Sequence, residues 1–496
     1  MRANGEPATF SDHLLAEGAP EDVAVIEGRR SYTYAELRDA AAKLAAELAG
    51  LRLPAGARIG LLGNNSFFWV AGYLAAMKVG VVVPLSDKNT PGDLAAQADW
   101  VGCSAVLLDR RQQRRFGATF GNRPVITDAA LDRTDVPPWP QATVAPASDA
   151  ALMFTSGTTS RPKAVRITHA NLLANTDSII SYLELRASDR MLVILPFHYV
   201  FGASLLHTHL AVGGSVVLCN TFTFPETALD LVESHGCTGF AGVPSSYQLL
   251  LRASSYASRP LPSLRLVQQA GGRLASSMIK ELAAAQPSSR VFVMYGQTEA
   301  TARLSHLPPE LLDSKLGSIG RGIPGVQLSV LGDDGQPVAP GEHGEIVAEG
   351  ANISPGYYND PDATSDKFPG GVLLTGDLAT VDDDGFIYIV GRRGDFIKSW
   401  GYRISPLQIE EAAVQFPGVG AAVAVGLPDS EAGEAVILAV TAAPRANLDV
   451  EGLKAWLRSR LPKHMVPHAV HLLDEFPLTA SGKIAKPELH EMLRSL

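Results

Sequence analysis

The sequence predicts an α/β fold, with a large N-terminal domain followed by a small, mobile α+β C-terminal domain. Three observations support this prediction. Strand and helix patterns alternate from Tyr32 to about Val293, which is typical of parallel-sheet α/β subdomains. Short apolar runs separated by turns replace the helices from Leu328 to Val390, which indicates a β-rich subdomain. After Asp395 the pattern returns to alternating helix and strand, so we place the domains at residues 1–394 and 395–496.

The N-terminal elements follow from local patterns. Thr33 and Glu36 form a capping box that predicts a helix ending at Gly50, and the polar cluster 64–66 predicts the start of a second helix, Phe67 to Lys78. Apolar runs predict short strands at 59–63, 81–83, 105–108, 124–127 and 150–154. Because helices separate most of these strands, the sheet is expected to be largely parallel.

Turn residues define the β-rich subdomain and helical patterns define the C-terminal one. Gly-Asp-Asp-Gly at 332–335 and Asp-Asp-Asp-Gly at 382–385 each predict a β-turn or hairpin. Beyond 391–395, the sequence predicts helices over 406–415 and 448–461 and strands over 421–425 and 435–440.

Composition excludes several classes of protein. Asp and Glu number 51 against 42 Lys and Arg, and the net charge of -9 gives no electrostatic basis for a nucleic-acid partner. The three cysteines lie far apart without metal-binding spacing, so neither a zinc site nor a disulfide framework is predicted.

The compartment is inferred from two segments. The N-terminus shows no basic start followed by an apolar run, so no signal peptide is predicted. Residues 191–225 contain no charged side chain, but prolines, glycines and histidines interrupt them, so we expect strand, loop, helix and strand instead of a membrane span. A cytoplasmic enzyme is the expectation, and the oligomeric state stays open.

A hydroxyl-rich segment is the strongest single candidate for a functional site. The strand 150–154 runs into Thr155-Ser-Gly-Thr-Thr-Ser-Arg-Pro-Lys163, in which hydroxyls, backbone N–H groups and an ammonium suit phosphate oxygens. The segment is not a Walker loop, because G-x-x-x-x-G-K-[ST] is absent. Composition alone leaves a Ser/Thr-rich surface turn equally open.

Further segments follow in a fixed order along the chain. They are Tyr295-Gly-Gln-Thr-Glu299, Thr375-Gly-Asp377, Gly391-Arg-Arg-Gly-Asp395 with the continuation to Ile404, and Thr479-Ala-Ser-Gly-Lys-Ile484. Together with the hydroxyl-rich segment they resemble the adenylate-forming (AMP-binding) superfamily of acyl-CoA synthetases, peptide-synthetase adenylation domains and beetle luciferases. The resemblance extends from about Tyr32 to Ile484.

The resemblance implies ATP and Mg²⁺ as cofactors and assigns their contacts. The triphosphate would be held by Thr155, Ser156, Gly157, Thr158, Thr159 and Lys163, and the adenine would lie along Gly271, Gly272 and Arg273 and stack on Tyr295. Thr298 would touch the α-phosphate, Glu299 would hold Mg²⁺, and Asp377, assisted by Arg392, would bind the ribose hydroxyls. Without the resemblance, Asp377 would be taken as a turn residue and Glu299 as a charge at a helix N-terminus.

The same resemblance divides catalysis between two faces of the C-terminal domain. Lys483 would reach the carboxylate and the α-phosphate during adenylation. Rotation about a hinge at Asp395 would then present Lys398, Trp400 and Gly401 for attack by the thiol, with Gly401 allowing pantetheine to pass closely. Taken alone, Lys483 would be a solvated lysine in a Ser-Gly turn.

The implied enzyme is an AMP-forming acyl-CoA ligase, an acid–thiol ligase. A carboxylate attacks the α-phosphorus of MgATP, pyrophosphate leaves, and the thiol of coenzyme A then displaces AMP. Three alternatives stay open at this stage. They are loading of a phosphopantetheine carrier protein, action mainly on a preformed acyl adenylate, and a non-catalytic ligand-binding role.

The substrate prediction depends on the segment 195–199, which resembles the part of the family that lies beside the acyl carboxylate. His198 follows Phe197 where amino-acid-activating members carry an Asp, and no acidic residue occurs from Met191 to Pro225. A buried ammonium would lack a partner, so an acid without a free α-amino group is predicted. A hydrogen-bonded core histidine is the alternative for His198, and a metal site is an alternative for His207 and His209 that lacks a third ligand.

The pocket wall is predicted from neighbouring segments. It would comprise Val200, Phe201, Phe240, Ala241, Gly242, Val243, Ala270, Gly296 and Gln297. Small residues at 241 and 242 would favour a bulky or long apolar acid. Ser160 and Ala164 replace the family's glycines, and either would strain the loop if its position requires positive φ, which would slow adenylation.

Overall fold

The computed structural model describes residues 9–142, 144–155, 163–443, 446–478 and 484–495. These residues form four sheets surrounded by helices, which confirms the predicted mixed α/β fold class. Within the described ranges, no helix combines the length and apolar content that a membrane span requires.

The first sheet has six strands and is parallel except at one edge. In spatial order its strands are Val125–Ile126, Cys103–Leu108, Arg58–Leu62, Val81–Leu85, Asp149–Thr155 and Lys163–Thr168. Only the last pair is antiparallel, so Lys163 lies directly across from Thr155. This pairing places both ends of the hydroxyl-rich segment at one edge of the sheet.

The second sheet has nine strands. In spatial order they are Arg321–Gly322, Ser305–Leu307, Arg290–Tyr295, Leu266–Gln269, Gly239–Gly242, Arg190–Val193, Ser215–Leu218, Val23–Glu27 and Arg30–Thr33. The central six strands are parallel and the edges are antiparallel. Since the carboxyl ends of parallel strands meet at one side, Tyr295 and the loop after Gln269 lie at the same side of this sheet.

Helices cover the sheets and fill the space between them. Their bounds are Phe10–Leu14, Tyr34–Gly50, Phe67–Val79, Pro91–Trp100, Arg110–Phe116, His169–Leu183, Val200–Ala211, Pro225–His235, Pro244–Ala253, Ser276–Ala285, Pro361–Lys367, Pro406–Val414, Val450–Arg460 and Lys486–Arg494. Helices 67–79 and 200–211 are buried on nearly every side and share one core with strands of both large sheets. A helix that is apolar all round has to be enclosed, which fixes these two as a central layer.

The remaining two sheets are smaller. An antiparallel sheet contains Val326–Leu331, Gly344–Gly350, Leu373–Val381 and Ile387–Arg392, and the last two strands flank the predicted turn at 382–385. The C-terminal sheet contains Tyr402–Ile404, Ile397–Ser399, Gly433–Ala442, Val419–Asp429 and Ala469–Leu473. The division at 394/395 stays a prediction, although strand 387–392 and strand 397–399 belong to different sheets.

Contacts across this division hold the two parts together. The Ser405 hydroxyl donates a 2.5 Å hydrogen bond to the carbonyl of Val390, and Arg273 forms an ion pair with Glu411. A third contact joins the Arg403 guanidinium to the carbonyl of Arg393 at 3.2 Å.

Most predicted elements occur with small changes at their ends. The capping box of Thr33 and Glu36 is present, and Ser66 caps helix 67–79 by accepting from the N–H of Trp69. Residues 191–225 form strand, loop, helix and strand, as expected.

A buried ion pair joins the N-terminal helix to the central layer. The Lys78 side chain is completely buried and its ammonium lies 2.6 Å from Oδ1 of Asp12. The indole of Trp139 donates to the same oxygen at 2.8 Å. Burial alone would raise the pKa of Asp12, but the hydrogen bonds from Lys78 and Trp139 outweigh it and lower that pKa.

We predict that Lys78→Met destabilises the N-terminal domain by about 2–4 kcal/mol, because it leaves a half-buried carboxylate without its cation. Chemical unfolding followed by tryptophan fluorescence measures the effect. The matched control is Lys454→Met, which removes an exposed pair with Glu451 and should change stability by less than about 0.5 kcal/mol. Equal effects of the two substitutions would contradict a stabilising role for the Lys78 pair.

Candidate active site

A cluster of three side chains forms where the β-rich sheet meets the nine-stranded sheet. Asp377 and Arg392 are direct cross-strand partners, and the Arg392 Nε lies 3.0 Å from Oδ1 of Asp377. The Tyr295 hydroxyl donates to Oδ2 of the same carboxylate at 2.6 Å. Burial and the neighbouring Asp377 carboxylate raise the pKa of Tyr295, while Asp377 raises the pKa of Arg392. The cluster thus unites three residues that the sequence assigned to the nucleotide.

The segment after Tyr295 reverses sharply. A Cβ on Gly296 would lie 2.0 Å from the carbonyl oxygen of Ala302, so only glycine fits there. Thr301 has φ of 66°, and the N–H of Leu304 donates to the carbonyl of Tyr295 at 2.8 Å. The reversal holds Thr298, which is buried, and Glu299 close to the end of the strand that carries Tyr295.

Glu299 belongs to a second cluster. Its Oε1 accepts a 2.8 Å hydrogen bond from the Tyr357 hydroxyl, which is the one hydrogen bond to this carboxylate among the described residues. The ammonium of Lys163 lies 4.7 Å from the centre of the Tyr357 ring. Glu299 and Lys163, far apart in sequence, are therefore bridged by one tyrosine.

Lys367 connects the two clusters. Its ammonium donates to the carbonyl of Thr375 at 2.9 Å and lies within electrostatic range of both Glu299 and Asp377. Burial lowers the pKa of Lys367, although both carboxylates oppose this effect. The arrangement presents acidic and basic groups around one region, which suits a charged polyatomic ligand.

Part of the predicted phosphate segment can be placed. Thr155 and Lys163 are paired across adjacent strands, whereas Ser156, Gly157, Thr158, Thr159 and Ser160 lie outside the described residues. Ala164 occupies an extended strand position opposite Phe154, so alanine introduces no backbone strain there. Lys483 also lies outside the described residues, between Leu478 and Ile484, which form a β-bridge.

The loop after strand 266–269 contains the predicted adenine segment. Gly271 has φ of 82°, which favours glycine, and the Gln269 side chain donates to the carbonyl of Gly272 at 2.7 Å. Arg273 points away from the loop: it donates to the carbonyl of Ile389 at 3.3 Å and pairs with Glu411. In this conformation the Arg273 side chain therefore connects the two domains.

His198 follows a segment that is held in place by an amide. The Asn65 side chain accepts from the N–H of Phe197 at 2.8 Å and donates to the carbonyl of Leu195 at 2.9 Å. The Nε2 of His198 is buried and has no hydrogen-bond partner among the described residues. Burial lowers the pKa of His198 to about 4.

Each neighbouring histidine has a partner on one ring nitrogen, although Nε2 of His209 is buried without a partner among the described residues. His207 Nε2 lies 3.0 Å from the Tyr73 hydroxyl, and His209 Nδ1 lies 2.9 Å from the carbonyl of Leu205. Both contacts lie inside the central helical layer and give these rings a structural role.

The structure places two members of the predicted pocket wall, Phe240 and Gly242, on the side of their strand that faces away from the central core. Val200, Phe201, Ala241, Val243 and Ala270 share the central core. Phe240 faces the other side of its strand, where it packs against Phe222 and Tyr247, because successive strand residues alternate in direction.

Gly242, two positions after Phe240 on the same strand, has a packing role. A Cβ on Gly242 would lie 3.0 Å from Cβ of Ser246 and 3.2 Å from the Tyr247 ring. The missing side chain thus accommodates helix 244–253 and leaves Ala241 as the small residue on the core side. Gln297 follows Gly296, and its Nε2 is buried without a partner in the described part of the chain.

The predicted thiol-acceptor residues form the tip of a hairpin. Strands Ile397–Ser399 and Tyr402–Ile404 are joined by Trp400 and Gly401, with φ of 52° and 77°, as a two-residue type I′ turn requires. Apart from its two chain neighbours, no described residue has an atom within 4 Å of a Cβ built on Gly401, so in this conformation its positive φ, and not crowding, favours glycine. Lys398 is exposed on the same hairpin, and Asp395 forms a 2.7 Å ion pair with Lys486.

Sequence reasoning missed several residues that contact these clusters. Tyr357, Lys367, Asn65 and Arg303 lie outside the motifs. Tyr357, Lys367 and Asn65 stand in polar or turn-rich segments, where a polar side chain attracts no notice and its partner cannot be identified. Each becomes recognisable only through contacts distant in sequence.

Comparison with family models gives two matches along the chain. Residues 14–358 match the model described as "AMP-binding enzyme", and residues 408–483 match "AMP-binding enzyme C-terminal domain". Among curated proteins, a feruloyl-CoA synthase from Amycolatopsis is 33% identical, and 96% of each chain is covered. A 2-succinylbenzoate–CoA ligase from Geobacillus kaustophilus is 31% identical with the same coverage.

Solved structures give a consistent picture. An ATP-bound MatB from Rhodopseudomonas palustris has a TM-score of 0.91 at 26% identity, covering 98% of this chain and 99% of that one. An o-succinylbenzoate coenzyme A synthetase from Bacillus subtilis, in complex with its acyl-adenylate intermediate, has a TM-score of 0.86 at 28% identity, covering 97% and 98%.

We predict that the His198 ring stays neutral in the folded protein from about pH 8 to pH 5, because its lowered pKa delays protonation, whereas an unfolded histidine titrates near 6.5. Imidazole resonances recorded by NMR across this range, assigned with His198→Gln, measure the titration. The same protein in denaturant provides the control and should show a midpoint near the ordinary value. A native midpoint above about 6 would contradict the prediction.

Proposed function

Because this chain belongs to the AMP-binding enzyme family and is an AMP-forming acid–thiol ligase, we propose that it activates a carboxylic acid without a free α-amino group and transfers the acyl group to coenzyme A. The observation that supports this most directly is the joining of Tyr295, Asp377 and Arg392 into one hydrogen-bonded cluster.

The Asp377 carboxylate has the acceptor capacity that a ribose requires. Tyr295 and Arg392 each engage a different oxygen, and an ionised carboxylate has about four acceptor sites. Lone pairs therefore remain for two ribose hydroxyls. The neighbouring Tyr295 ring and the loop 271–273 would receive the adenine, and Thr298 would contact the α-phosphate.

The Glu299 carboxylate fits a hard cation. Tyr357 occupies Oε1 and orients the group, while Oε2 makes no hydrogen bond within the described residues. Glu299 would hold Mg²⁺, which when bound offsets the charge of the phosphates. Thr155 and Lys163, together with residues 156–159, would hold the β- and γ-phosphates.

The chain's two remote lysines would act in different steps. Lys483 would stabilise the charge that develops as the carboxylate attacks the α-phosphorus and pyrophosphate leaves. Lys398, Trp400 and Gly401, on an exposed hairpin, would receive the thiol, whose attack on the mixed anhydride releases AMP. Asp395 would serve as the hinge between these two postures, and breaking its ion pair with Lys486 would accompany rotation.

The surroundings of His198 support the proposed class of acid. Because its pKa is lowered, the His198 ring is neutral and cannot form an ion pair with an anion. The nearby Asp87 carboxylate accepts a hydrogen bond from the side chain of Gln112. No carboxylate in segment 191–225 is available for a substrate ammonium. The curated relatives are named for ferulate, 2-succinylbenzoate and oxalate at 31–33% identity, so these names support acid–CoA ligation without selecting one acid.

We predict that Asp377→Asn raises the KM for ATP by about ten- to a hundredfold, because the amide loses charge and one acceptor position toward the ribose. Steady-state pyrophosphate release at varied ATP measures the change.

Asp382→Asn, in the hairpin turn between the same two strands, is the matched control and should leave the KM for ATP unchanged. An unchanged KM in the Asp377 variant would remove the assigned contact with ribose.

We predict opposite defects for the two lysines. Lys483→Ala should slow acid-dependent pyrophosphate release by about a hundredfold or more, while Lys398→Ala should slow thioester formation from added acyl adenylate more than it slows adenylation. Pyrophosphate release and single-turnover thioester formation, measured for both variants, separate the steps.

Each lysine variant is the other's control, and Lys280→Ala, on an exposed helix face, tests for non-specific effects. Identical profiles for the two lysine variants would refute separate roles. Absence of pyrophosphate release with every acid of a broad panel would refute adenylation by this chain. A phosphopantetheinylated carrier protein accepted in place of coenzyme A would identify a different acceptor.

A further inference from the structure

Arg303 is a buried cation that has no acidic partner among the described residues. Its residue surface is 2% exposed, and it is one of the largest fully buried side chains. Its guanidinium carbon lies 4.0 Å from the centre of the Phe201 ring, and Nε lies 3.5 Å from Sδ of Met294. The Tyr182 hydroxyl donates to the same sulfur atom at 3.1 Å. No carboxylate of the described residues lies within ion-pair distance.

One nitrogen of the Arg303 guanidinium has no hydrogen-bond partner among the described residues. The Nη2 atom is buried and has no hydrogen-bond partner in the part of the chain that the structure describes. Burial lowers the pKa of Arg303, but an arginine in a protein stays charged. Burying a charge without a counter-ion is strongly unfavourable, so an anion bound beside Arg303 would stabilise the folded chain.

Stacking on Phe201 does not replace a counter-ion for Arg303. Arg321 stacks on Phe386 in a similar way, at 4.2 Å, but Arg321 is exposed and its Nη2 donates to the carbonyl of Asp384. A ring face attracts a cation weakly and accepts no directed hydrogen bond from Nη2. The two pairs share one contact and differ in burial, which makes Arg321 a useful reference.

The backbone of Arg303 is fixed beside the proposed acyl site. Its carbonyl accepts from the side chains of Asn175 at 3.0 Å and Asn352 at 2.9 Å. Its Cα would lie 2.8 Å from a Cβ built on Gly296. Phe201 and Gly296, which flank Arg303, are both members of the predicted pocket wall. The guanidinium is thus held next to where the acyl chain would lie, distinct from the nucleotide clusters.

We propose that Arg303 receives a second carboxylate on the acid substrate, so that this chain prefers dicarboxylic acids to the corresponding monocarboxylic acids. The proposal rests on the proposed acyl-activating function and adds the substrate class. The planar guanidinium donates from Nη2 and matches the geometry of a carboxylate. Because Nη2 is buried, the substrate reaches it only when a neighbouring side chain moves.

The test compares matched acids. Acid-dependent pyrophosphate release is measured with linear and aromatic monocarboxylic acids and with the dicarboxylic acids that carry one additional terminal carboxylate. We expect the wild type to favour the diacid of at least one pair by about a hundredfold in kcat/KM. Arg303→Met should abolish this preference and spare or improve turnover of the monoacid, and Arg303→Lys should retain part of it.

Arg321→Met is the matched control, because it removes an arginine stacked on a phenylalanine away from the site; it should leave the preference intact. Thermal unfolding of each variant checks folding, and the wild-type comparison tests the proposal even if Arg303→Met does not fold. A wild-type preference for monoacids or for neutral hydroxy acids would overturn the inference while leaving acyl activation in place. A diacid preference that persists in folded Arg303→Met would overturn the role of Arg303. If no acid of the panel elicited pyrophosphate release, the proposed function itself would be rejected.

Discussion

The close approach of Gly296 to the backbone of Ala302 determines where most of the site lies. Without a side chain at 296, the chain turns back within a few residues and Leu304 bonds to the carbonyl of Tyr295. The turn directs Tyr295 to Asp377, sets Glu299 against Tyr357 and brings Arg303 beside Phe201. One backbone constraint therefore positions groups proposed for nucleotide, cation and acid.

Contacts from distant segments of the chain stabilise this turn. Asn175 and Asn352 come from different parts of the chain and both donate to the carbonyl of Arg303. Lys367 adds an electrostatic link, because it lies within range of both Glu299 and Asp377. These contacts unite the two large sheets with the β-rich sheet, so the site depends on how the subdomains pack and not on a single loop.

Local signals were sufficient for the fold but not for the full site. The capping box of Thr33 and Glu36 and the acidic turn at 382–385 act over a few residues, so the sequence predicted their elements. The roles proposed for Asp377 and Glu299 came from ordered motifs. Tyr357 is 58 positions from Glu299, and the Arg303 environment combines four segments, so no local pattern could predict these contacts. Strand alternation, which places Phe240 and Ala241 on opposite faces of the sheet, is a local rule and predicts a divided pocket wall from the sequence alone.

The hairpin tip at Trp400 has a practical consequence. Of the five tryptophans in the chain, Trp400 is the one among the exposed large hydrophobic side chains, at 55% exposure, and its φ of 52° holds it on a tight turn. An indole in contact with water emits at longer wavelength and is accessible to soluble quenchers, unlike the enclosed ring of Trp69. The chain thus carries a native optical probe on the element that would have to travel between the two half-reactions.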